Sequence, residues 1–506
     1  MENVSRRGFV AAGAAAGMAG MLSSMGMVAQ AEEAQAAGEQ AVALPCTNVK
    51  QVGDPSILNE YGQMDPVKFV TDVPESVLLD MLLTETQDVQ DYTTPDGTVI
   101  PAVYIKLRNR INRYYCGIGA GVGTEANTGH EWDVFMKNWT EEEAQDFLDM
   151  PSHQWFTDMD LATVNGKPVE ECLEKLNRFA NRGLIFRRYV AGVPYFSVIG
   201  QLPGYWEIGQ LVLANEGKEA EAAQFAVDCD LAMGNNMKYT FDNYRGITRV
   251  IPVSKDVVDG ELVPYTDWEE HLKRHSSFVV VPCQCRQKKD LIADYLDGEE
   301  RACRDVHPQD TCLSFGAVAD YYKELGIGQE LTYEEAVEKV KSNVDLGLIV
   351  DAELKRDGGT LCACHGDCCQ LLGKMLLMYS LGKLPNQVEL MTDYDLAYDT
   401  ESCIKCGLCA QRCPMMAVAP NDEGYMMAND ICVRCGQCAL VCPQQARRLK
   451  PRELSHTFAL PEDSVDQARE MGLIRMALGR IRDFDGTNGD EIYWEPEDIA
   501  AGLGNK

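Results

Sequence analysis

The sequence predicts a multidomain α+β protein, and three observations point to that fold class. The chain has 506 residues, which at roughly 150 residues per domain corresponds to three or four domains. Hydrophobic residues make up 45% of it and charged residues 25%, as in chains that bury ordinary cores. Helical periodicity dominates the first half, whereas short β-rich runs alternate with helices among the cysteines that follow.

The charge balance argues against one broad class of function. With 46 basic and 78 acidic residues, the formal net charge is −32 and the sequence pI is about 4.6. A nucleic-acid binder needs a basic surface, so we expect no nucleic-acid partner. The acidity fits a well-solvated surface, and the alternative is docking to a basic partner protein.

The N-terminal residues 1–31 have the pattern of an export signal. Adjacent Arg6 and Arg7 precede an apolar stretch that continues to about Val28, and small residues precede a cleavage point after Ala31. The paired arginines resemble the twin-arginine (Tat) signal. That resemblance implies export of the folded chain across the cytoplasmic membrane, to the periplasm or outer face. The alternative is an N-terminal membrane anchor that is not cleaved.

Residues 32–100 are a predicted N-terminal segment, and residues 101–215 are a predicted domain of three helices and a hairpin. A capping box of Thr140 and Glu143 starts the first helix. The three helices are expected at about 140–150, 158–164 and 169–181. Two β-rich runs follow around a glycine-containing turn, the pattern of a β-hairpin. Three helices followed by a hairpin resemble a winged helix, which in an acidic, exported chain favours protein binding or a structural role over DNA recognition.

The remaining boundaries follow the cysteines, because 16 of the 20 lie between Cys283 and Cys442. The predicted segments are a helical connector at 216–275, a cysteine-rich α/β domain at 276–385, a second cysteine-containing domain at 386–452, and a C-terminal helix and tail at 453–506. Many of these cysteines stand two or three residues apart. Such pairs rarely reach the Cα spacing of a disulfide, so metal ligation is the better interpretation.

Two cysteine runs in the 386–452 domain share one spacing, C-x2-C-x2-C-x3-C-P, and the second begins 29 residues after the first. The first contains Cys403, Cys406, Cys409 and Cys413, and the second contains Cys432, Cys435, Cys438 and Cys442. A two-residue gap lets three thiolates of one loop reach three corners of a cubane cluster. Gly407 and Gly436 permit the tight loops. Two zinc ribbons or disulfides are the alternatives to cluster binding.

The two runs strongly resemble the bacterial dicluster ferredoxin family over residues 401–446. That resemblance implies the dicluster ferredoxin fold and two [4Fe-4S] clusters, with the fourth cysteine of each run serving the other cluster. Cluster 1 would be bound by Cys403, Cys406, Cys409 and Cys442, and cluster 2 by Cys432, Cys435, Cys438 and Cys413. Clusters ligated in this way transfer single electrons and offer no vacant iron site.

The 276–385 domain contains eight cysteines without a zinc signature. We hypothesise an additional Fe–S cluster there, with Cys283, Cys285, Cys312, Cys362, Cys364, Cys368 and Cys369 as the candidate ligands. The pattern of C-x-C-R followed by C-x-C-x-x-x-C-C resembles a group of iron–sulfur proteins of anaerobes, in which it precedes a dicluster ferredoxin. That group more often has cysteine at the position of His365.

Two other interpretations of this domain stay open. Zinc is the main alternative to an Fe–S cluster, since a four-ligand Cys/His site needs no redox chemistry. Adjacent Cys368 and Cys369 could instead form a strained, redox-active disulfide. His365 is near these cysteines, where a histidine is as often a hydrogen-bond partner of a ligand as a ligand itself.

The sequence therefore predicts an exported iron–sulfur protein that relays single electrons to or from an extracytoplasmic oxidoreductase. Its partner would be a redox protein or a catalytic subunit, through which it could associate peripherally with the membrane. No nucleotide-binding or hydrolase motif is present, and no catalytic residue is assigned. Two alternatives are a reductase with a catalytic Fe–S site in residues 283–369, and a redox or metal sensor with a winged-helix interaction module.

Overall fold

The computed structural model describes most of the chain. The described residues are 50, 54–59, 64–86, 88–115, 132–234, 245–296, 303–356, 358–382, 384–452, 460–478, 480–481 and 483–487. The predicted export signal lies outside them, as do Cys46 and Cys116. None of the described helices is both long enough and apolar enough to cross a membrane.

The N-terminal half is mainly helical. Its helices are α1 Pro66–Val70, α2 Glu75–Leu83, α3 Ala102–Ile111, α4 Asp133–Asn138, α5 Glu141–Leu148, α6 Asp158–Asn165, α7 Val169–Asn181, α8 Tyr205–Asn215 and α9 Glu219–Gly234. Two antiparallel hairpins accompany them, one of β1 Tyr92–Thr93 and β2 Val99–Ile100, the other of β3 Ile185–Val190 and β4 Val193–Val198. A 3-10 turn covers Pro55–Ile57.

The three helices and the hairpin expected between 140 and 198 are present in that order, as α5, α6, α7 and β3–β4. The capping box forms as predicted: the Thr140 hydroxyl accepts a hydrogen bond from the Glu143 amide at 3.2 Å, and the Glu143 carboxylate accepts one from the Thr140 amide at 3.1 Å. The assignment of these elements to a winged helix stays a prediction.

A six-stranded sheet forms the centre of the cysteine-rich region. Its order is β5-β9-β10-β7-β6-β8, and the strands are β5 Thr248–Val250, β6 Phe278–Pro282, β7 Asp310–Phe315, β8 Gln329–Leu331, β9 Ile349–Glu353 and β10 Thr360–Cys364. Every neighbouring pair is antiparallel. The expectation of an α/β domain is therefore corrected to an antiparallel α+β arrangement. The short connection from β9 to β10 is one reason, because only antiparallel neighbours can be joined so directly.

Helices flank this sheet, and the segment predicted as a helical connector also supplies its edge strand β5. The helices are α10 Trp268–Leu272, α11 Gln284–Tyr295, α12 Gly316–Glu324, α13 Tyr333–Asp345, α14 Gln370–Ser380 and α15 Gln387–Leu390, and a 3-10 turn covers Lys255–Val257. Strand β6 is buried along Phe278–Val281, as expected from its apolar run. It ends immediately before Cys283.

The C-terminal region contains small paired strands and short helices. They are β11 Tyr394–Tyr398, α16 Leu408–Arg412, β12 Val418–Pro420, β13 Met426–Ala428, α17 Gln437–Leu440, β14 Arg447–Pro451 and α18 Ser464–Ala477. β11 pairs with β14, and β12 pairs with β13, both antiparallel. Helix α18 returns to the N-terminal segment, where Leu473 and Ile474 are buried with Leu78 and Leu82 of α2.

The largest buried cluster extends from Ile100 to Phe484 and spans several of the predicted segments. It includes aromatic residues of the helical half together with Cys364, Cys369 and Cys435. The thiols of both cysteine-rich regions therefore border a common hydrophobic core.

Candidate metal centres

Two cavities in the C-terminal cysteine region are each lined by four cysteines. The outer cavity is lined by Cys403, Cys406, Cys409 and Cys442. The inner cavity is lined by Cys413, Cys432, Cys435 and Cys438. Each cavity thus combines three cysteines of one run with the fourth cysteine of the other run. This is the same division that the sequence resemblance implies for the ligands of two clusters.

The backbone around the two cavities repeats with the period of the cysteine runs. Gly407 and Gly436 have φ of 78° and 88°, and at the positions two residues before them Lys405 and Arg434 have φ of 57° and 52°. This left-handed backbone is strained for side chains other than glycine. It turns each loop tightly enough for three cysteines to face one cavity, and α16 or α17 then begins directly after the glycine.

The two cavities differ in their exposure to solvent. Beside the outer cavity Cys406 is exposed, and the exposed fractions of Ile404 and Leu408 are 60% and 43%. Cys435 and Cys438 of the inner cavity are only 8% and 7% exposed. The outer cavity therefore lies at the protein surface, and the inner cavity lies against the body of the protein.

Hydrogen bonds and burial act differently on the two sets of thiols. At the outer cavity the Tyr398 hydroxyl donates to Sγ of Cys403 at 3.0 Å and lowers the pKa of that thiol. At the inner cavity burial raises the pKa of Cys435 well above its ordinary value and that of Cys438 to about 12. Without a metal these two side chains are neutral thiols, and bound metal is what would ionise them.

Residues 402–447 match the family model of the 4Fe-4S dicluster domain. The chain therefore contains an iron–sulfur domain of the ferredoxin type, here called the dicluster domain. The two cavities lie within the matched residues. Comparison of the whole chain with curated proteins found no match, and neither did comparison with solved structures.

Six cysteines outside the dicluster domain come together at one end of the central sheet. These residues, here called the six-thiol centre, are Cys283, Cys285, Cys312, Cys362, Cys364 and Cys369. Neighbouring thiols shift one another's pKa values in a continuous series, from Cys283 to Cys285, Cys369, Cys364, Cys362 and Cys312. All six belong to the predicted candidate ligands.

Strand order explains why residues so far apart in sequence meet here. β10, β7 and β6 are neighbours in the sheet. β10 contains Cys362 and Cys364, whose spacing of two places both on one face, and β7 contains Cys312. Cys283 follows β6. The six-thiol centre therefore depends on the pairing of three strands, and not on the geometry of one loop.

Two helices begin at the six-thiol centre. Cys283 is the N-cap of α11, and Cys369 is the N-cap of α14. The amide of Gln370 donates to Sγ of Cys285 at 3.3 Å, and the amide of Leu372 donates to Sγ of Cys369 at 3.5 Å. The amides at a helix N-terminus and the positive end of the helix dipole stabilise thiolates or an anionic cluster at this position.

The electrostatics of the six-thiol centre are those of a site that gathers negative charge. Hydrogen bonds between the thiols, together with burial, raise the pKa of Cys283, Cys312 and Cys364. Hydrogen bonds from the thiols on either side lower the pKa of Cys362, and they lower that of Cys369 to about 6. Two thiolates flanked by thiol donors are a good starting point for a soft metal or a cluster.

A buried arginine lies beside these thiols. Arg286 is fully buried and donates to the carbonyl of Pro308 at 3.0 Å, and to Thr311 and the carbonyl of Ala363. Burial opposes its charge, but the neighbouring thiols, among them Cys283, raise the pKa of its guanidinium overall. A permanent positive charge is therefore fixed next to the candidate ligands.

Cys368, the seventh candidate ligand, does not join this series of thiols. Its thiol donates to the carbonyl of His365 at 3.7 Å, and the neighbouring Cys303, which is absent from the predicted set, raises its pKa. The two adjacent residues separate because Cys369 is the N-cap of α14, whereas Cys368 lies in the preceding turn. The seven candidate ligands therefore fall into two places, six in the six-thiol centre and Cys368 beside Cys303, and their assignment as ligands stays a prediction. Cys368 and Cys369 are both free thiols, so the structure contains no disulfide between them.

The loop between Cys364 and Cys368 touches the dicluster domain. The amide of Gly366 donates to the carbonyl of Pro414 at 3.0 Å, and Pro414 follows Cys413 of the inner cavity. A Cβ at position 366 would lie 2.5 Å from Cδ1 of Leu376 and 2.9 Å from that carbonyl oxygen. Only glycine allows this contact, which joins the six-thiol centre to the inner cavity.

Proposed function

We propose that the chain is an exported electron-transfer protein that relays single electrons through two [4Fe-4S] clusters and a third Fe–S centre. The observation that supports this proposal most is the spatial order of three thiol-lined sites, which follow one another from the surface inwards. They are the outer cavity, the inner cavity and the six-thiol centre, and the Gly366–Pro414 hydrogen bond joins the last two.

The cysteines would act as ligands in three groups. Those of the outer cavity would bind cluster 1, those of the inner cavity cluster 2, and the six-thiol centre would bind the additional cluster. Iron–sulfur clusters held by thiolates exchange one electron at a time, at a potential set by burial and hydrogen bonds. The protein itself supplies the ligands, the hydrogen bonds to sulfur and the exclusion of water around the inner two sites.

The rim of the outer cavity is the proposed contact for a redox partner. Ile404 and Leu408, which line this cavity, are 60% and 43% exposed, so apolar side chains lie beside the most accessible candidate ligands. A small apolar contact suits the transient interfaces through which redox proteins exchange electrons. The partner would be an oxidoreductase or its catalytic subunit outside the cytoplasm.

The proposed export rests on the twin-arginine pattern of the N-terminus. This pathway transports folded proteins, so clusters could be inserted before export. We expect replacement of Arg6 and Arg7 by lysine to retain the precursor inside the cell. Cell fractionation would measure this, and unchanged export would contradict the twin-arginine interpretation.

The contact between the inner cavity and the six-thiol centre provides the test of the relay. We expect Gly366→Ala to leave the iron content unchanged but to slow electron transfer between the dicluster domain and the six-thiol centre, because the new Cβ forces the two loops apart. Rapid-freeze EPR after partial reduction of the oxygen-free protein would follow both sites over time.

A matched control separates this effect from a general loss of stability. Gly166 caps α6 with φ of 69°, and a Cβ there meets no atom within 4 Å. Gly166→Ala strains the backbone in the helical N-terminal half, which contains none of the candidate ligands, so it should leave the transfer rate as in the wild type. An equal rate in Gly366→Ala and wild type would contradict the proposed route.

A further inference from the structure

A second group of metal-ligating side chains lies beside the six-thiol centre and separate from it. His307, Asp367 and Cys368 each offer a ligand atom, and these three atoms lie within 4.8 Å of one another. The thiol of Cys303 adjoins that of Cys368 and offers a fourth donor beside these three. From this geometry we propose that Cys303, His307, Asp367 and Cys368 bind a single zinc ion.

The backbone holds two of these donors on one turn. The amide of His307 donates to the carbonyl of Cys303 at 2.9 Å, so residues 303 and 307 face the same side. The buried carboxylate of Asp290 accepts hydrogen bonds from the amides of Cys303 and Arg304, the latter at 3.1 Å. Asp290 therefore stabilises the turn through hydrogen bonds, and the proposed site does not need its carboxylate as a zinc ligand.

The other two donors come from the turn before α14. Asp367 is oriented by His365, whose Nδ1 lies 2.6 Å from Oδ1 of the carboxylate. The other carboxylate oxygen of Asp367, Oδ2, lies 3.3 Å from Nε2 of His307. A tetrahedral zinc ion with bonds of about 2.0–2.1 Å to N and O places those two atoms about 3.3 Å apart. The observed separation is thus that of one edge of a tetrahedral site.

The donor set and the local charge both favour zinc. Two thiolates, one imidazole and one carboxylate are ligands that tetrahedral zinc takes in proteins. Arg286 lies close to Cys368, so its positive charge adds to that of the divalent ion. Together these three positive charges balance the three negative charges of the ligands, which is required because Cys303 and Cys368 are 7% and 2% exposed.

The ion would fix the loop on which the neighbouring centre depends. It would tie the turn at 303–307 to residues 367–368, and the same loop contains Cys364, Gly366 and Cys369. The zinc site would therefore have a structural role, in which it positions two thiols of the six-thiol centre and the contact with Pro414.

Metal analysis of the full chain, purified without oxygen, tests the proposal. We expect about one zinc ion per chain in addition to the iron, and X-ray absorption at the zinc edge should show about two sulfur and two nitrogen or oxygen neighbours. The variants Cys303→Ala and His307→Ala should each lose that ion and keep the iron and sulfide of the dicluster domain. Cys172→Ala is the control, since Cys172 is a buried free thiol in α7.

Three results would overturn the proposal. One is wild-type protein without zinc, and another is zinc retained in both variants. The third is a zinc site with sulfur neighbours only, because that would place zinc in the six-thiol centre. The two wild-type measurements stand even if a variant does not fold. Retention of the visible iron–sulfur absorption shows that a variant is folded.

Discussion

The dicluster domain and the six-thiol centre gather their thiols in two different ways. In the dicluster domain three cysteines of each cavity come from one loop, whose glycine and left-handed residues set the geometry. In the six-thiol centre the thiols come from two strands, the end of a third strand and the first residues of two helices. The candidate ligands in a loop can be recognised from the spacing of its cysteines. Those in a sheet depend on which strands pair, and the local spacing of residues does not show that pairing.

The two regions should differ most in how much iron they lose when one candidate ligand is replaced. The inner cavity has four cysteines and no spare, so we expect Cys435→Ser to remove about four iron atoms per chain, the content of one cluster. Iron and sulfide analysis measures this, with Cys172→Ser as the control. Full iron content together with unchanged EPR signals in Cys435→Ser would contradict the ligand assignment.

The corresponding change in the six-thiol centre should have a smaller effect. Cys312 lies at one end of the series of thiols, and five thiols remain after Cys312→Ser, more than the four that a [4Fe-4S] cluster takes. We expect the variant to keep most of its iron while the EPR signal of this centre changes. A loss of about four iron atoms, equal to that of Cys435→Ser, would mean that this centre has no spare ligand either.

The two equivalent glycines should differ in what they contribute to stability. A Cβ at Gly407 meets no atom within 4 Å, so Gly407→Ala should cost about 1–2 kcal/mol for the left-handed backbone. A Cβ at Gly436 lies 2.8 Å from Cγ2 of Val257, and we expect about 1–3 kcal/mol more from this overpacking. Denaturant unfolding of the two variants measures the difference. Equal losses of stability in the two variants would show that the rest of the protein does not pack tightly against the loop at Gly436.

A single hydrogen bond should account for the smallest effect. Tyr398→Phe removes the donor to Cys403, which stabilises the more negative, reduced state of a cluster in the outer cavity. At about 1 kcal/mol for the bond, the potential should fall by about 40 mV. Redox titration by EPR measures the potential of this cluster. Tyr425→Phe is the control, because the ring of Tyr425 contacts the ammonium group of Lys405. An unchanged or higher potential would exclude this role of Tyr398.

The same contrast explains how much of the molecule was predictable from its sequence. The helices at α5, α6 and α7 follow from periodicity and capping residues, and the dicluster domain follows from its spacing. Cys303 and His307 were missed because they meet Cys368 across some sixty residues, without a local motif. The antiparallel sheet was missed as well, because an apolar run such as Phe278–Val281 shows that a strand is buried but not which strand it pairs with.

The central claim is that the six-thiol centre is a third iron–sulfur site in line with the dicluster domain. The most direct test is the iron and acid-labile sulfide content of the wild-type chain, isolated without oxygen. We expect about twelve iron atoms per chain and a similar amount of sulfide, the content of three four-iron clusters. About eight of each would show that the six-thiol centre holds no such cluster, and would contradict the proposed relay.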